Sequence, residues 1–167
     1  MGCIYKINTD GTVYAKLLNF SGTANGRSPN GPLVLSGSVL YGGTHKGGLS
    51  DEGCLFKINI DGTGFTKFLD FSINNGSQNH GLIISGNVIY GEAHEGGLYG
   101  KGCIFSFNID SIITGGNGYT KLHEFNETDG DFPGNTLTLS GSVLYGVTLR
   151  GGAHTAGTIF KINTDGS

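Results

Sequence analysis

Short runs of alternating apolar and polar residues recur along the whole chain, and glycine interrupts them. In Cys3-Ile4-Tyr5-Lys6-Ile7, Tyr5 and Ile7 fall on one face of an extended strand and Ile4 on the other. Residues 53–60 and 65–71 are rich in β-branched and aromatic side chains, the composition of strands. Ser36-Gly37 and Asp61-Gly62 stand between such runs as tight-turn signals. No stretch keeps the 3.6-residue spacing of an amphipathic helix over a useful length. No apolar run nears the roughly 20 residues of a membrane-spanning helix. The pattern predicts an all-β chain of short strands joined by hairpins.

The runs are copies of one another. The block 2–8 returns at 53–59, 102–108 and 157–163, in steps of 51, 49 and 55 residues. A second block, Leu35–Gly42, returns as Ile84–Gly91 and Leu139–Gly146. One repeat domain, 1–167, therefore divides into repeats 2–52, 53–101 and 102–156, with a partial fourth at 157–167. Each period reads as four strands, for example 32–36, 38–45, 53–60 and 65–71. Four strands in about 50 residues predict the blade of a β-propeller. Blades pack face to face, which explains apolar side chains on both strand faces. A β-solenoid is the main competing fold, although its rungs are usually shorter.

Complete blades are predicted at about 32–71 and 81–125, with a composite blade made from 135–164 and 2–20. Three blades fall short of the roughly four to eight of known propellers. The expected partner is therefore the chain itself, as a homo-oligomer whose head-to-tail dimer gives about six blades. Further repeats of a longer chain would serve equally. Residues 157–164 duplicate 2–9, which leaves one third strand surplus at each junction.

Composition adds a reason for the glycines. There are 32 of them among 167 residues, with only 3 prolines and no Gly-X-Y period, so they serve hairpin turns and not collagen. The net charge of −3, with both signs scattered, argues against nucleic acid as a partner. No signal-peptide pattern opens the chain. Cys3, Cys54 and Cys103 share one repeat phase, and equivalent sites in different blades should lie beyond the ~7 Å Cα limit of a disulfide. With Thr158 at the fourth copy, they read as small packed side chains.

The run Tyr41-Gly42-Gly43-Thr44-His45-Lys46-Gly47-Gly48, followed by Gly53–Thr63, resembles the GloVer tandem repeat, and the resemblance covers essentially the whole chain. The block order also resembles kelch, without kelch's tryptophan, since this chain has none. The resemblance implies a propeller from large bacterial surface or secreted proteins, and so an extracellular or cell-surface setting. It implies no established activity.

The second-to-third loops (45–52, 94–101, 149–156) and the fourth-to-first loops (21–31, 72–80, 126–134) are long and should open on one face. Long loops on a rigid scaffold are where binding residues concentrate. On that face His45 and His94 share a phase whose third member is Leu149, and Lys46, Glu95 and Arg150 share the next. His45, Lys46, His94, Glu95 and Arg150 are the candidate ligand-binding residues. The two histidines belong to different blades, so no metal site and no cofactor are expected. Asn8-Thr9-Asp10-Gly11 and Asn59-Ile60-Asp61-Gly62 read as hairpin turns, because a calcium loop needs more oxygen ligands and a distal Glu.

No GxSxG, HExxH or P-loop motif occurs. The segments expected to be innermost, 33–35, 82–84 and 137–139, carry no carboxylate. No catalytic residue is expected, and the reading is a non-enzymatic binding or structural scaffold for protein or glycan. A small oligomeric lectin-like propeller is one alternative; Tyr99 and Phe132 are the only long-loop aromatics that could stack a sugar. A polysaccharide-active propeller enzyme is the other.

Overall fold

A computed structural model describes all 167 residues, Met1–Ser167, as fourteen strands and one helical turn. The strands form four antiparallel sheets taken in chain order. Sheet 1 holds β1 (Cys3–Lys6) and β2 (Ala15–Asn19). Sheet 2 holds β3 (Arg27–Ser36), β4 (Val39–Lys46), β5 (Cys54–Asn59) and β6 (Thr66–Asp70). Sheet 3 holds β7 (Ser77–Ser85), β8 (Val88–Glu95), β9 (Cys103–Asn108) and β10 (Tyr119–Glu124), with the turn α1 (Ser111–Thr114) between the last two. In sheet 4, β11 (Asp131–Pro133) and β12 (Thr138–Ser140) both lie along β13 (Val143–Arg150), and β14 (Ile159–Asn163) lies on its other side.

The hairpins follow from the turn residues. Ser36 pairs with Val39, so Gly37 is the first residue of a two-residue loop, and its φ of 59° is the positive value that position needs. Glycine has a second role inside the sheets. A Cβ on Gly42 would lie 2.6 Å from the Phe56 ring and 2.7 Å from Leu33, so only glycine lets that ring lie against β4.

The core consists of seams between successive sheets. Ile4 and Phe20 of sheet 1 meet Phe56 and Ile58 of sheet 2. Tyr41, Leu55 and Phe71 meet Leu82, Ile89, Phe105 and Phe107 of sheet 3. Tyr90, Ile104 and Phe125 then meet Leu137 and Leu144 of sheet 4. One edge-to-face aromatic pair stitches each seam: Phe20–Phe56, Phe71–Phe105 and Phe125–Phe160, with ring centroids 5.2, 5.5 and 5.2 Å apart.

Two expectations need correction. The opening strands begin earlier than 32 and 81, at Arg27 and Ser77, so the segments read as loops 21–31 and 72–80 end in strand. The ladder shifts register between Asn30 and Val34 and between Asn79 and Gly81, and such a bulge breaks the alternation that reveals a strand. The composite blade of 135–164 with 2–20 is not formed within the chain: β1 pairs with β2 and β14 with β13. The physical reason is occupancy, because β14 already covers the edge of β13 that β1 would need. No core cluster joins sheet 4 to sheet 1.

Candidate functional site

The ends of β4, β8 and β13 meet the beginnings of β3, β7 and β11 along one rim. Register puts them there, pairing Arg27 with Lys46, Ser77 with Glu95 and Asp131 with Arg150. His45 of β4 faces His80 of β7 across a seam, with ring centroids 5.7 Å apart. His80 stacks on His94 of β8 at 4.7 Å, and His94 stacks on Phe132 of β11 at 4.9 Å. The Arg150 guanidinium carbon lies 5.3 Å from the centre of the Phe132 ring. A continuous row, His45–His80–His94–Phe132–Arg150, thus crosses from sheet 2 to sheet 4.

The backbone under this row is strained in a repeated way. Ser28, Gln78 and Phe132 occupy the same repeat position and have φ of 53°, 56° and 55°. That left-handed region costs a non-glycine residue about 1–3 kcal/mol and clusters at sites where structure serves a task. At Phe132 it presents the ring to His94 on one side and Arg150 on the other.

Hydrogen bonds and burial act on the rings of the row. His94 Nδ1 lies 3.1 Å from the Pro133 carbonyl oxygen, which it meets as an N–H donor. His80 Nε2 is buried without a partner. Burial, and then the charges of Lys46 and His94, hold His45 below the ordinary imidazole value. Burial, and then the other two histidines, do the same to His80. These two rings are neutral at neutral pH. Beside them Lys46 Nζ lies 3.4 Å from Glu52 Oε2, and Gln78 Nε2 donates to Glu95 Oε2 at 2.7 Å. A row of rings ending in an exposed guanidinium can accept a flat or anionic group by stacking and hydrogen bonding. No group of three or more His, Cys, Asp or Glu side chains is placed to hold a metal ion.

His45, His94 and Arg150 therefore share one row without touching each other, and Lys46 and Glu95 flank it in pairs of their own. The bridging His80 escaped the sequence reading. It lies in a segment read as loop, and its repeat has no histidine counterpart elsewhere: Asn30 and Gly134 take its place. Phe132 was visible only as a loop aromatic.

Glu92 is a second feature that repetition concealed, since Gly43 and Val147 are its counterparts. It is completely buried on β8, and neither carboxyl oxygen has a hydrogen-bond partner. A Cβ on Gly146 of sheet 4 would lie 2.9 Å from its Oε1, which places the carboxyl in the seam between sheets 3 and 4. Burial pushes its pKa up to about 8, so it is protonated at neutral pH.

Other candidate chemistry is structural. Asp10 accepts from the Thr12 amide at 2.9 Å and hydroxyl at 2.6 Å, and Asp61 and Thr63 repeat the arrangement at 2.9 and 2.7 Å. These hydrogen bonds hold both carboxyls below the ordinary range and close the hairpins. The three cysteines are free, and burial pushes the Cys103 thiol up to about 11. Thr158 stands where the other copies have cysteine, and its hydroxyl meets that of Thr148 at 2.9 Å.

A family model described as the Gloeobacter/Verrucomicrobia repeat matches residues 1–114. No curated protein matches the sequence. Among solved structures, a protein described as TolB from Agrobacterium tumefaciens superposes with a TM-score of 0.61 at 14% identity, covering 99% of this chain and 54% of that one. The computationally designed Ika8 protein gives 0.59 at 13%, covering 93% and 38%. The tricorn protease gives 0.58 at 14%, covering 99% and 15%. The chain thus spans about half or less of each of these structures. At such identities the likeness carries the fold, all-β with four-stranded antiparallel sheets, and no activity.

Proposed function

The chain belongs to the Gloeobacter/Verrucomicrobia repeat family, and from that premise we propose that it is a non-enzymatic β-propeller repeat module whose histidine, phenylalanine and arginine rim binds a ligand. The observation that carries this reading is the repeated seam. The same aromatic stitch joins each sheet to the next, so each sheet stands to its successor as a blade does in a ring. The ring is completed by association with another copy or by further repeats of a longer chain. Enzyme chemistry has little support, because Glu92 and Asp131 are buried and Asp10, Asp51 and Asp61 are held by their own turns or ion pairs.

A carbohydrate-binding role is the second reading, favoured by the Phe132 ring set between His94 and Arg150. Glycan and peptide arrays probed with the wild type and with Phe132→Ala test both. The expected result is a set of ligands whose binding falls at least about tenfold in the variant. Absence of any ligand, or binding untouched by Phe132→Ala, would remove the rim as the binding site. Polysaccharide cleavage abolished by a loop carboxylate substitution would replace the scaffold reading with an enzyme.

A further inference from the structure

Each complete seam seats a tyrosine. Tyr41 of sheet 2 is 6% exposed and belongs to the cluster holding Leu82 and Phe105 of sheet 3. Tyr90 of sheet 3 is 8% exposed and belongs with Leu137 and Phe160 of sheet 4. The receiving surface is the same both times: a leucine in or next to the opening strand, a glycine from the second and a phenylalanine from the third. Leu82, Gly91 and Phe105 make one such seat, and Leu137, Gly146 and Phe160 the other.

The third tyrosine has no sheet in front of it. Tyr145 is 41% exposed, and Val147, Leu149 and Ile159 beside it are exposed too. The third seat has no tyrosine from a second strand. Leu33, Gly42 and Phe56 line an open cavity of about 420 Å³, together with Ile4 and Tyr5 of β1. A second-strand tyrosine without a seat and a seat without one lie at the two ends of one chain.

We propose that two copies join head to tail, Tyr145 of each seated against Leu33, Gly42 and Phe56 of the other, and close into a ring of six sheets. This rests on the propeller reading above. The contact joins different patches of the two copies and closes because the second junction repeats the first. The free edge of β1 in one copy then meets β13 of the other, where that copy's own β14 now pairs. β14 is a copy of β1, with Ile159 for Ile4 and Ile162 for Ile7, so the two strands compete for one place and one of them comes away. Exchanging a strand for its near-copy is a low-cost route to a dimer.

Light scattering and small-angle X-ray scattering on the full chain test this. The expected mass is twice the 17.4 kDa of one copy, with the profile of a ring. Tyr145→Asp and Leu33→Asp alter positions already exposed, and circular dichroism checks that both variants fold. Each alone should be monomeric, with dimerisation weakened at least about tenfold. Their equimolar mixture should recover dimers, because each variant keeps one intact end. Leu98→Asp, at an exposed loop position, should dimerise like the wild type. A monomeric wild type with an arc-shaped profile would overturn the pairing and leave the module reading standing. A dimer indifferent to both substitutions and without a ring profile would overturn both. Masses above the dimer would overturn the closed ring.

Discussion

One buried carboxyl and two half-buried histidines tie stability to pH from opposite sides. The Glu92 pKa is raised from 4.5 to about 8, so its neutral form belongs to the folded chain. Its contribution is fully present below about 4.5 and is lost as pH rises to about 8, at about 1.4 kcal/mol per unit at most. His45 and His80 are depressed, so they favour folding while neutral. Their contribution is present above the unfolded value and is lost as pH falls below about 6.5. Denaturant melts at about pH 5, 7 and 9 should show Glu92→Gln gaining several kcal/mol relative to wild type at the alkaline end. His80→Gln should lose its share of the acid-side decline, with that of His45 remaining, and leave the alkaline side alone. Glu92 and His80 were not legible in the repeat pattern, because each stands at a position whose counterparts are unlike it, whereas His45 was visible through its match with His94.

At the level of the strand, the sequence showed the hairpins and concealed the bulges. Ser36-Gly37 and Asp61-Gly62 specify turns by local chemistry, and β4, β5 and β6 lie within a residue or so of where alternation puts them. The first half of β3 and β7 was missed because a register shift interrupts the alternation at Asn30 and Asn79. That miss hid the site as well: His80 sits in that part of β7 and Phe132 in the short β11, also read as loop, so the phased residues were seen without their link through these two rings. The strained position repeated at Ser28, Gln78 and Phe132 can be tested where no side-chain contact confuses the result. Ser28 is exposed, and Ser28→Gly should stabilise the chain by up to about 1 kcal/mol in equilibrium unfolding.

At the level of the whole molecule, stability should be the sum of sheets and nearest-neighbour seams. Phe125 stitches only the last seam, against Phe160. Phe125→Ala should therefore speed hydrogen exchange in β11–β14 and the sheet 3 face they cover, while β3–β6 keep their protection. Uniform loss of protection along the chain would contradict a modular series. Copy number was legible from the steps of 51, 49 and 55 residues. The pairing of the ends was not, because β1 and β14 are near-identical and sequence alone cannot say which one β13 keeps.

Packing residues and rim residues lie on the same strands and do not overlap. On β8, Tyr90 enters a seam, and His94, two turns of the pleat further along the same face, joins the rim. The rim residues vary between repeats while the tyrosine, glycine and phenylalanine beneath them do not. Such a frame separates what can drift from what must be kept. New recognition surfaces can arise by single substitutions at the rim, with no renegotiation of the core, and duplication of one repeat supplies a fresh copy on which to try them.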